Sequence, residues 1–158
     1  MPTNQQIGAR MRRLAERIGY EYHDLSYLKE AMHCVKEEGK NDYTNDAMAT
    51  LGDAVMKLIW SEYFFDKGLD KDEITVRKAA LEQNATLRQI SDERGIARFA
   101  YNDEFFADEA PDNRKLPYGK HDIYVEAIIA AIYKDRGLDY VRQWLITLWG
   151  QVLGAQDL

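Results

Sequence analysis

The chain has 158 residues, 46% of them hydrophobic, and its 27 acidic and 21 basic side chains give a formal net charge of −6. This composition favours one folded domain with a proper core and argues against a disordered chain. The acidic surplus argues against a general nucleic-acid coat, so affinity for RNA would need a local basic strip or bound metal.

The cysteine count and the hydropathy pattern limit the cellular compartments in which we expect this protein. A lone Cys34 excludes an internal disulfide and a thiolate metal site, so any metal would be bound by oxygen or imidazole ligands. No window approaches the ~20 apolar residues of a membrane span, and the first residues lack the apolar run of a signal peptide. We expect a cytoplasmic protein whose single domain covers residues 1–158.

The first two predicted helices are amphipathic and short. Residues 5–18 place Ile7, Met11 and Leu14 on one face, and residues 24–34 begin at Asp24 as a possible N-cap. The first helix is the most basic element. Its four arginines have two open interpretations, a solvated helix face or a contact with the RNA backbone. They are Arg10, Arg12, Arg13 and Arg17.

The central predicted helix covers residues 45–65 and carries Asp53 within a largely apolar sequence. Apolar residues occur on both sides of this helix at about 100° per residue, which predicts neighbours all round. Gly52 has no Cβ and would let another backbone come close. Asp53 has two open interpretations: a metal ligand, or a carboxylate paired with a base such as Lys57 at i+4.

Two further helices are predicted at residues 72–81 and 85–94, followed by the longest irregular segment, residues 99–119. Arg114, Lys115 and Lys120 give the second half of that segment a basic character, and Lys78 is basic in the first of the two helices. Long loops in compact domains often carry function, so we expect Arg114, Lys115 and Lys120 to contact RNA. Lys78 is a further candidate RNA contact, through phosphate, or a partner of a carboxylate.

The last two predicted helices cover residues 121–136 and 139–152. The first is mostly apolar and carries Glu126, a second carboxylate that would not be buried unpaired. The chain shows little alternation of period two and no hairpin signature, so the predicted fold class is all-α.

Two apolar helices that each present an acid can form a carboxylate pocket for Mg²⁺ or Mn²⁺. At this point the sequence resembles the catalytic domain of ribonuclease III. The resemblance lies in Leu51-Gly52-Asp53-Ala54-Val55 and in Glu126-Ala127-Ile128-Ile129-Ala130-Ala131-Ile132-Tyr133, in the family's order, and extends over roughly residues 14–149.

The resemblance implies a ribonuclease III endonuclease-domain-like helical bundle that forms a homodimer and cleaves double-stranded RNA with Mg²⁺, leaving a 5′-phosphate and a 3′-hydroxyl. By position, Asp53 and Glu126 match the family's catalytic metal-binding acids, and Asp46 matches an upstream acidic position. No double-stranded RNA-binding domain is expected to follow, a feature similar to mini-ribonuclease III.

The sequence departs from the family pattern at three positions. A second acid of the first motif falls on Ala49, and the acid three residues before Glu126 falls on Ile123. Asp122 is displaced by one position, so it could serve as a metal ligand only with a shifted metal. The aromatic residue that commonly reaches the dimer partner falls on Thr50.

These departures keep two other functions open. One is a catalytically reduced RNA-binding or scaffold protein. The other, much weaker, is an HD-type phosphohydrolase suggested by His121-Asp122 with His33, although the chain has only three histidines. His33 is expected to be buried and hydrogen-bonded, and the tryptophans to belong to the core or a dimer surface.

Overall fold

A computed structural model describes residues 1–109, 122–150 and 154. Within them the chain forms seven α-helices, two short 3₁₀ turns and three isolated β-bridges, with no β-strand, so the predicted all-α class is confirmed. The helices are α1 (Asn4–Arg17), α2 (Ser26–Met32), α3 (Asp46–Asp66), α4 (Lys71–Glu82), α5 (Asn84–Arg94), α6 (Asp122–Arg136) and α7 (Leu138–Leu148). None of the helices in this part of the chain is long and apolar enough to cross a membrane.

The helix boundaries follow local capping chemistry. Thr3 and Gln6 form a reciprocal capping box at the start of α1, and the Asp70 side chain accepts a hydrogen bond from the Glu73 N–H at the start of α4. Gly95 ends α5 in the left-handed conformation with φ 61°, which glycine adopts without strain. Asp24 differs from expectation: its carboxylate accepts from the Ser26 N–H, and α2 begins two residues later than predicted.

Helix α6 lies at the centre of the fold and packs against α3 along its length. Eight of its residues from Tyr124 to Ile132 are buried, as expected for a helix surrounded by others. A Cβ placed on Gly52 would lie 1.6 Å from the carbonyl oxygen of Glu126. The predicted close approach at Gly52 is therefore confirmed, and it brings the backbone of α6 against α3 beside Asp53.

Helix α3 is not surrounded on all sides. Leu51, Leu58 and Phe65 are 37%, 51% and 71% exposed, and their spacing of seven residues places them in one stripe. The expectation of neighbours all round α3 is wrong within the single chain, because the described elements leave this stripe uncovered.

The three tryptophans belong to the core, as expected. The Trp60 and Trp149 ring centroids lie 6.1 Å apart, and the Trp149 indole N–H donates to the Leu81 carbonyl at 3.1 Å near the end of α4. The Trp144 indole donates to the Ile18 carbonyl at 2.8 Å. These hydrogen bonds satisfy the indole N–H groups of Trp144 and Trp149, whereas the buried Trp60 Nε1 has no hydrogen-bond partner among the described residues.

Candidate active site

The candidate site lies where α3 and α6 cross. Asp53 follows Gly52 on α3, and Glu126 supplies both the carbonyl that touches Gly52 and a partly exposed side chain on α6. A Cβ at position 52 would separate the helices, so glycine is required for this approach. The crossing therefore brings together the two helix segments that carry the predicted acids.

Lys57 is the basic residue at this crossing. Its Nζ donates to Asp53 Oδ1 at 2.7 Å, one turn away on α3, and lies 3.8 Å from Glu82 Oε2 at the end of α4. The hydrogen bond to Asp53 raises the pKa of Lys57, and the negative charges of Glu82 and Glu126 add to that effect. Of the two interpretations of Asp53 left open by the sequence, the pairing with Lys57 is therefore present.

Glu82 is a carboxylate that the sequence did not single out. Its side chain is only 9% exposed, and its carboxylate lies between the ammonium groups of Lys57 and Lys78, with Lys78 Nζ 3.3 Å from Oε1. A carboxylate this buried requires positive partners. The i, i+4 spacing of Lys78 and Glu82 was visible in the sequence, but the contact between α4 and Lys57 was not.

Asp46 is placed differently from Asp53. Its Oδ2 accepts a hydrogen bond from the Tyr43 N–H at 2.7 Å, at the beginning of α3. Seven residues of helix separate it from Asp53, which corresponds to about 10 Å along the axis. Asp46 thus lies on the same helix as Asp53, two turns from the crossing.

Two positions that carry acids in the family pattern have apolar side chains here, and both side chains pack in or against the core. Ala49 is 3% exposed and belongs to the core, and Ile123 packs partly buried against it. The side chains of Asp122, Arg114, Lys115 and Lys120 lie outside the described residues. Lys78, the other predicted RNA contact, is engaged by Glu82.

His33 lies away from the helix crossing. Its Nε2 is 2.9 Å from Asp103 Oδ1, and its ring packs on Tyr101 with a centroid distance of 5.1 Å. The expected hydrogen bond is present, but the side chain is 29% exposed and not buried. His33 is therefore occupied in fastening α2 to the segment that follows α5.

A divalent cation is implied by the fold family, and the donor chemistry at the crossing is suitable for one. Mg²⁺ is usually held by one or two carboxylates together with water and substrate phosphates. Asp53 and Glu126 supply such oxygens from two helices. Among the side chains that the structure describes, which do not include Asp122, no group of three or more His, Cys, Asp or Glu residues could hold a metal ion. The crossing fits a cation that keeps water or phosphate ligands, and does not form a closed protein cage.

Comparison with known proteins identifies the class to which this fold and helix crossing belong. The family model described as the ribonuclease III domain matches residues 46–137, which include Asp53, Glu82 and Glu126. The chain therefore belongs to the ribonuclease III domain family.

Individual relatives are similar over most of the chain. "Ribonuclease 3" of Campylobacter fetus subsp. fetus is 33% identical over 141 residues, covering 88% of this chain and 61% of the relative. "Ribonuclease 3" of Caldanaerobacter subterraneus subsp. tengcongensis is 30% identical over 150 residues, covering 89% and 62%. The chain thus spans less than two thirds of the length of these curated relatives.

Solved structures show the same arrangement of helices. The nuclease domain of ribonuclease III from Campylobacter jejuni superposes with a TM-score of 0.70 at 25% identity, covering 87% of this chain and 94% of that one. That structure was described for flexibility in a region involved in dimer formation. A second structure of that nuclease domain gives a TM-score of 0.67 at 26% identity. The expected ribonuclease III fold is confirmed.

Proposed function

We propose that the protein is an Mg²⁺- or Mn²⁺-dependent endoribonuclease that hydrolyses phosphodiester bonds of double-stranded or structured RNA in RNA processing. The observation that carries this proposal is the contact of Gly52 with the Glu126 backbone. This contact brings Asp53 and Glu126, the proposed catalytic pair, to one helix crossing beside Lys57. Both proposed catalytic acids are retained, although Ala49 and Ile123 replace two other acids of the family pattern.

The proposed roles follow from the chemistry of these side chains. Asp53 and Glu126 would hold the cation through carboxylate oxygens, with Asp122 and Asp46 as further candidate ligands. When bound, the cation supplies Lewis-acid activation of the phosphodiester and of a water molecule. Lys57 donates a hydrogen bond to Asp53, and the close approach of α3 and α6 keeps the proposed pair in position.

The proposal is tested by incubating end-labelled double-stranded RNA with the purified protein in Mg²⁺, Mn²⁺ or chelator. Asp53→Asn and Glu126→Gln should each lower the cleavage rate by at least 100-fold, while Asp66→Asn should retain the wild-type rate. Asp66 is a matched control, because it is an exposed acid at the far end of the same helix. Cleavage that survives in both site variants would contradict the proposed pair.

Specific features also favour a second function, a catalytically reduced RNA-binding or scaffold protein. Ala49 is buried, Ile123 is apolar, and Lys57 already forms a salt bridge with Asp53. In the same assay, wild-type protein that binds double-stranded RNA without cleaving it in either metal would favour this function. Under that outcome, the buried Ala49 and Ile123 explain the lost activity.

We propose RNA contacts in the basic segment that contains Arg114, Lys115 and Lys120. A protein of net charge −6 needs local basic groups to approach phosphate. Replacing these three residues by alanine should weaken RNA binding and reduce its dependence on salt concentration. An unchanged salt dependence would place the RNA contact elsewhere.

A homodimer is the proposed assembly, formed through the exposed stripe of Leu51, Leu58 and Phe65 on α3. Aligned apolar side chains on one helix are typical of a face that another chain covers. Sedimentation should show a dimer for the wild type and a monomer for Leu58→Glu. Val76→Glu, which changes a 70% exposed apolar residue on α4, should remain dimeric.

A further inference from the structure

We propose that Lys57 is a tethered counter-cation of the active site, and that a divalent metal binds there only by displacing its ammonium group. This inference rests on the metal dependence proposed above and adds a determinant of metal affinity within the chain. An i, i+4 Asp–Lys pair is common on helix surfaces, and by itself would suggest nothing further. The surroundings of Lys57 distinguish it from such a pair.

Two carboxylates, on α3 and α4, lie within ion-pair distance of this one ammonium, and a third on α6 acts on it through its charge. Asp53 on α3 accepts its hydrogen bond at 2.7 Å, Glu82 on α4 lies 3.8 Å away, and the charge of Glu126 on α6 acts on it as well. Lys57 therefore contacts one proposed metal ligand, Asp53, and lies within the electrostatic influence of the other, Glu126. A hard dication and an ammonium are attracted by the same oxygens, so they compete for them.

Glu82 gives the ammonium group of Lys57, whose side chain is 47% exposed, a second carboxylate partner beside Asp53. Its side chain is 9% exposed, and the buried Oε1 atom has an ion-pair contact with Lys78 but no hydrogen bond. Removing water from a carboxylate is costly unless positive charge is close. Two lysines supply that charge, and Lys57 is the one that also contacts Asp53.

The local charge balance then sets the metal affinity. Asp53, Glu82 and Glu126 contribute three negative charges, and Lys57 and Lys78 return two positive ones. A dication arriving at this crossing meets carboxylates that are already largely neutralised. Even at the dielectric constant of water, repulsion between an ammonium and a dication about 6 Å apart corresponds to about tenfold in affinity.

The test is direct titration of the full chain with Mn²⁺ alone, by calorimetry and by the electron paramagnetic resonance signal of free Mn²⁺. Lys57→Met removes the charge and keeps a long stem, and Lys57→Arg keeps the charge. Lys71→Met is the matched control, since the same change is made on an exposed residue about 16 Å along α4 from Glu82. Circular dichroism checks that each variant is folded, and Lys57→Gln replaces Lys57→Met if the latter is not.

The expected result is about tenfold tighter Mn²⁺ binding by Lys57→Met, with wild-type affinity in Lys57→Arg and Lys71→Met. An increase below threefold, or an equal increase in Lys71→Met, would overturn the proposal. The titration needs neither RNA nor turnover, so it is independent of the cleavage assay. If the protein cleaves RNA but Lys57→Met does not change its Mn²⁺ affinity, this inference is overturned and the proposed function is not affected.

Discussion

Gly52 and Glu126 are in contact through their backbones, because the carbonyl oxygen of Glu126 occupies the space that a Cβ of residue 52 would take. Gly52→Ala would place that Cβ 1.6 Å from the oxygen, so α3 and α6 would have to separate. We expect a loss of about 3 kcal/mol or more in the free energy of unfolding, together with loss of cleavage. Denaturant titration measures the first effect.

The control for that variant is Gly8→Ala, a second glycine within a helix. A Cβ on Gly8 would meet only the end of the flexible Arg12 side chain, at 3.4 Å. This substitution should leave stability unchanged or raise it by about 0.5–1 kcal/mol, through the helix propensity of alanine. Equal losses in the two variants would show that steric contact at Gly52 is not the cause.

Asp135 joins the C-terminal end of α6 to the segment before α2. Its carboxylate accepts a hydrogen bond from the buried Tyr20 hydroxyl, and also from the backbone N–H groups of His23 at 2.8 Å and Asp24 at 2.9 Å. Asp135→Ala leaves these donors without an acceptor and should lower the free energy of unfolding by about 3 kcal/mol or more. Thermal and denaturant unfolding both measure this loss.

Asp139→Ala provides the comparison for Asp135. Its side chain is 99% exposed and pairs with Arg142 on the surface. Such a pair contributes little, so we expect a change within about 0.5 kcal/mol. A similar effect from both variants would contradict the role given to Asp135.

Arg10 stabilises the fold, and does not simply coat the basic face of α1. Its guanidinium lies 4.3 Å from the Phe106 ring centroid, forms a 2.7 Å ion pair with Asp108 and donates to the Arg98 carbonyl at 3.1 Å. Arg10→Met should lower stability by about 2 kcal/mol, since cation–π and ion-pair contacts are lost together. Arg12→Met, on the exposed side of α1, should change it by less than about 0.5 kcal/mol.

Cys34 makes stability depend on alkaline pH. Burial raises the pKa of its thiol to about 11 from an ordinary value of 9.0, an effect that the nearby charge of Asp46 reinforces and a hydrogen bond with Tyr124 opposes. Between these values the unfolded chain has lost a proton that the folded chain keeps. The stability from this group is therefore complete below pH 9 and is lost as pH rises toward 11, by roughly 2–3 kcal/mol.

Comparison of unfolding free energies for wild type and Cys34→Ala between pH 8 and 11 isolates this contribution, because the other titrating groups are shared. The free energy of unfolding of the wild type should fall relative to that of Cys34→Ala as pH rises from 9 toward 11. The native thiol should also react slowly with iodoacetamide at pH 9, since a buried thiol is a poor nucleophile. Rapid alkylation of folded protein would contradict the raised pKa.

Helix pattern and motif order were enough to predict the fold. Apolar periodicity identified α3 and α6, and the glycine before Asp53 predicted the close approach that the structure contains. The exposed apolar stripe on α3 could not be predicted in this way. Periodicity identifies the apolar faces of a helix, but it does not show which of them are covered by other helices of the same chain. Leu51 and Leu58 are apolar and exposed for that reason.

The surroundings of the acids depend on tertiary contacts that sequence spacing does not contain. Lys57 at i+4 made its contact with Asp53 foreseeable, but Glu82 reaches it across 25 positions through the packing of α4 on α3. Asp46 illustrates the reverse case: its match to a family acid is positional, whereas its carboxylate accepts a hydrogen bond from Tyr43 at the start of the helix.

The hydrogen bond from Trp149 to the Leu81 carbonyl gives the protein an optical reporter of its own. Leu81 precedes Glu82, and Trp149 packs on Trp60, which lies three residues after Lys57 on α3. A displacement of the last turn of α4 would therefore change the surroundings of two indoles that pack on each other. We expect intrinsic tryptophan fluorescence to respond to such a movement, so it can be recorded without a label or an RNA substrate.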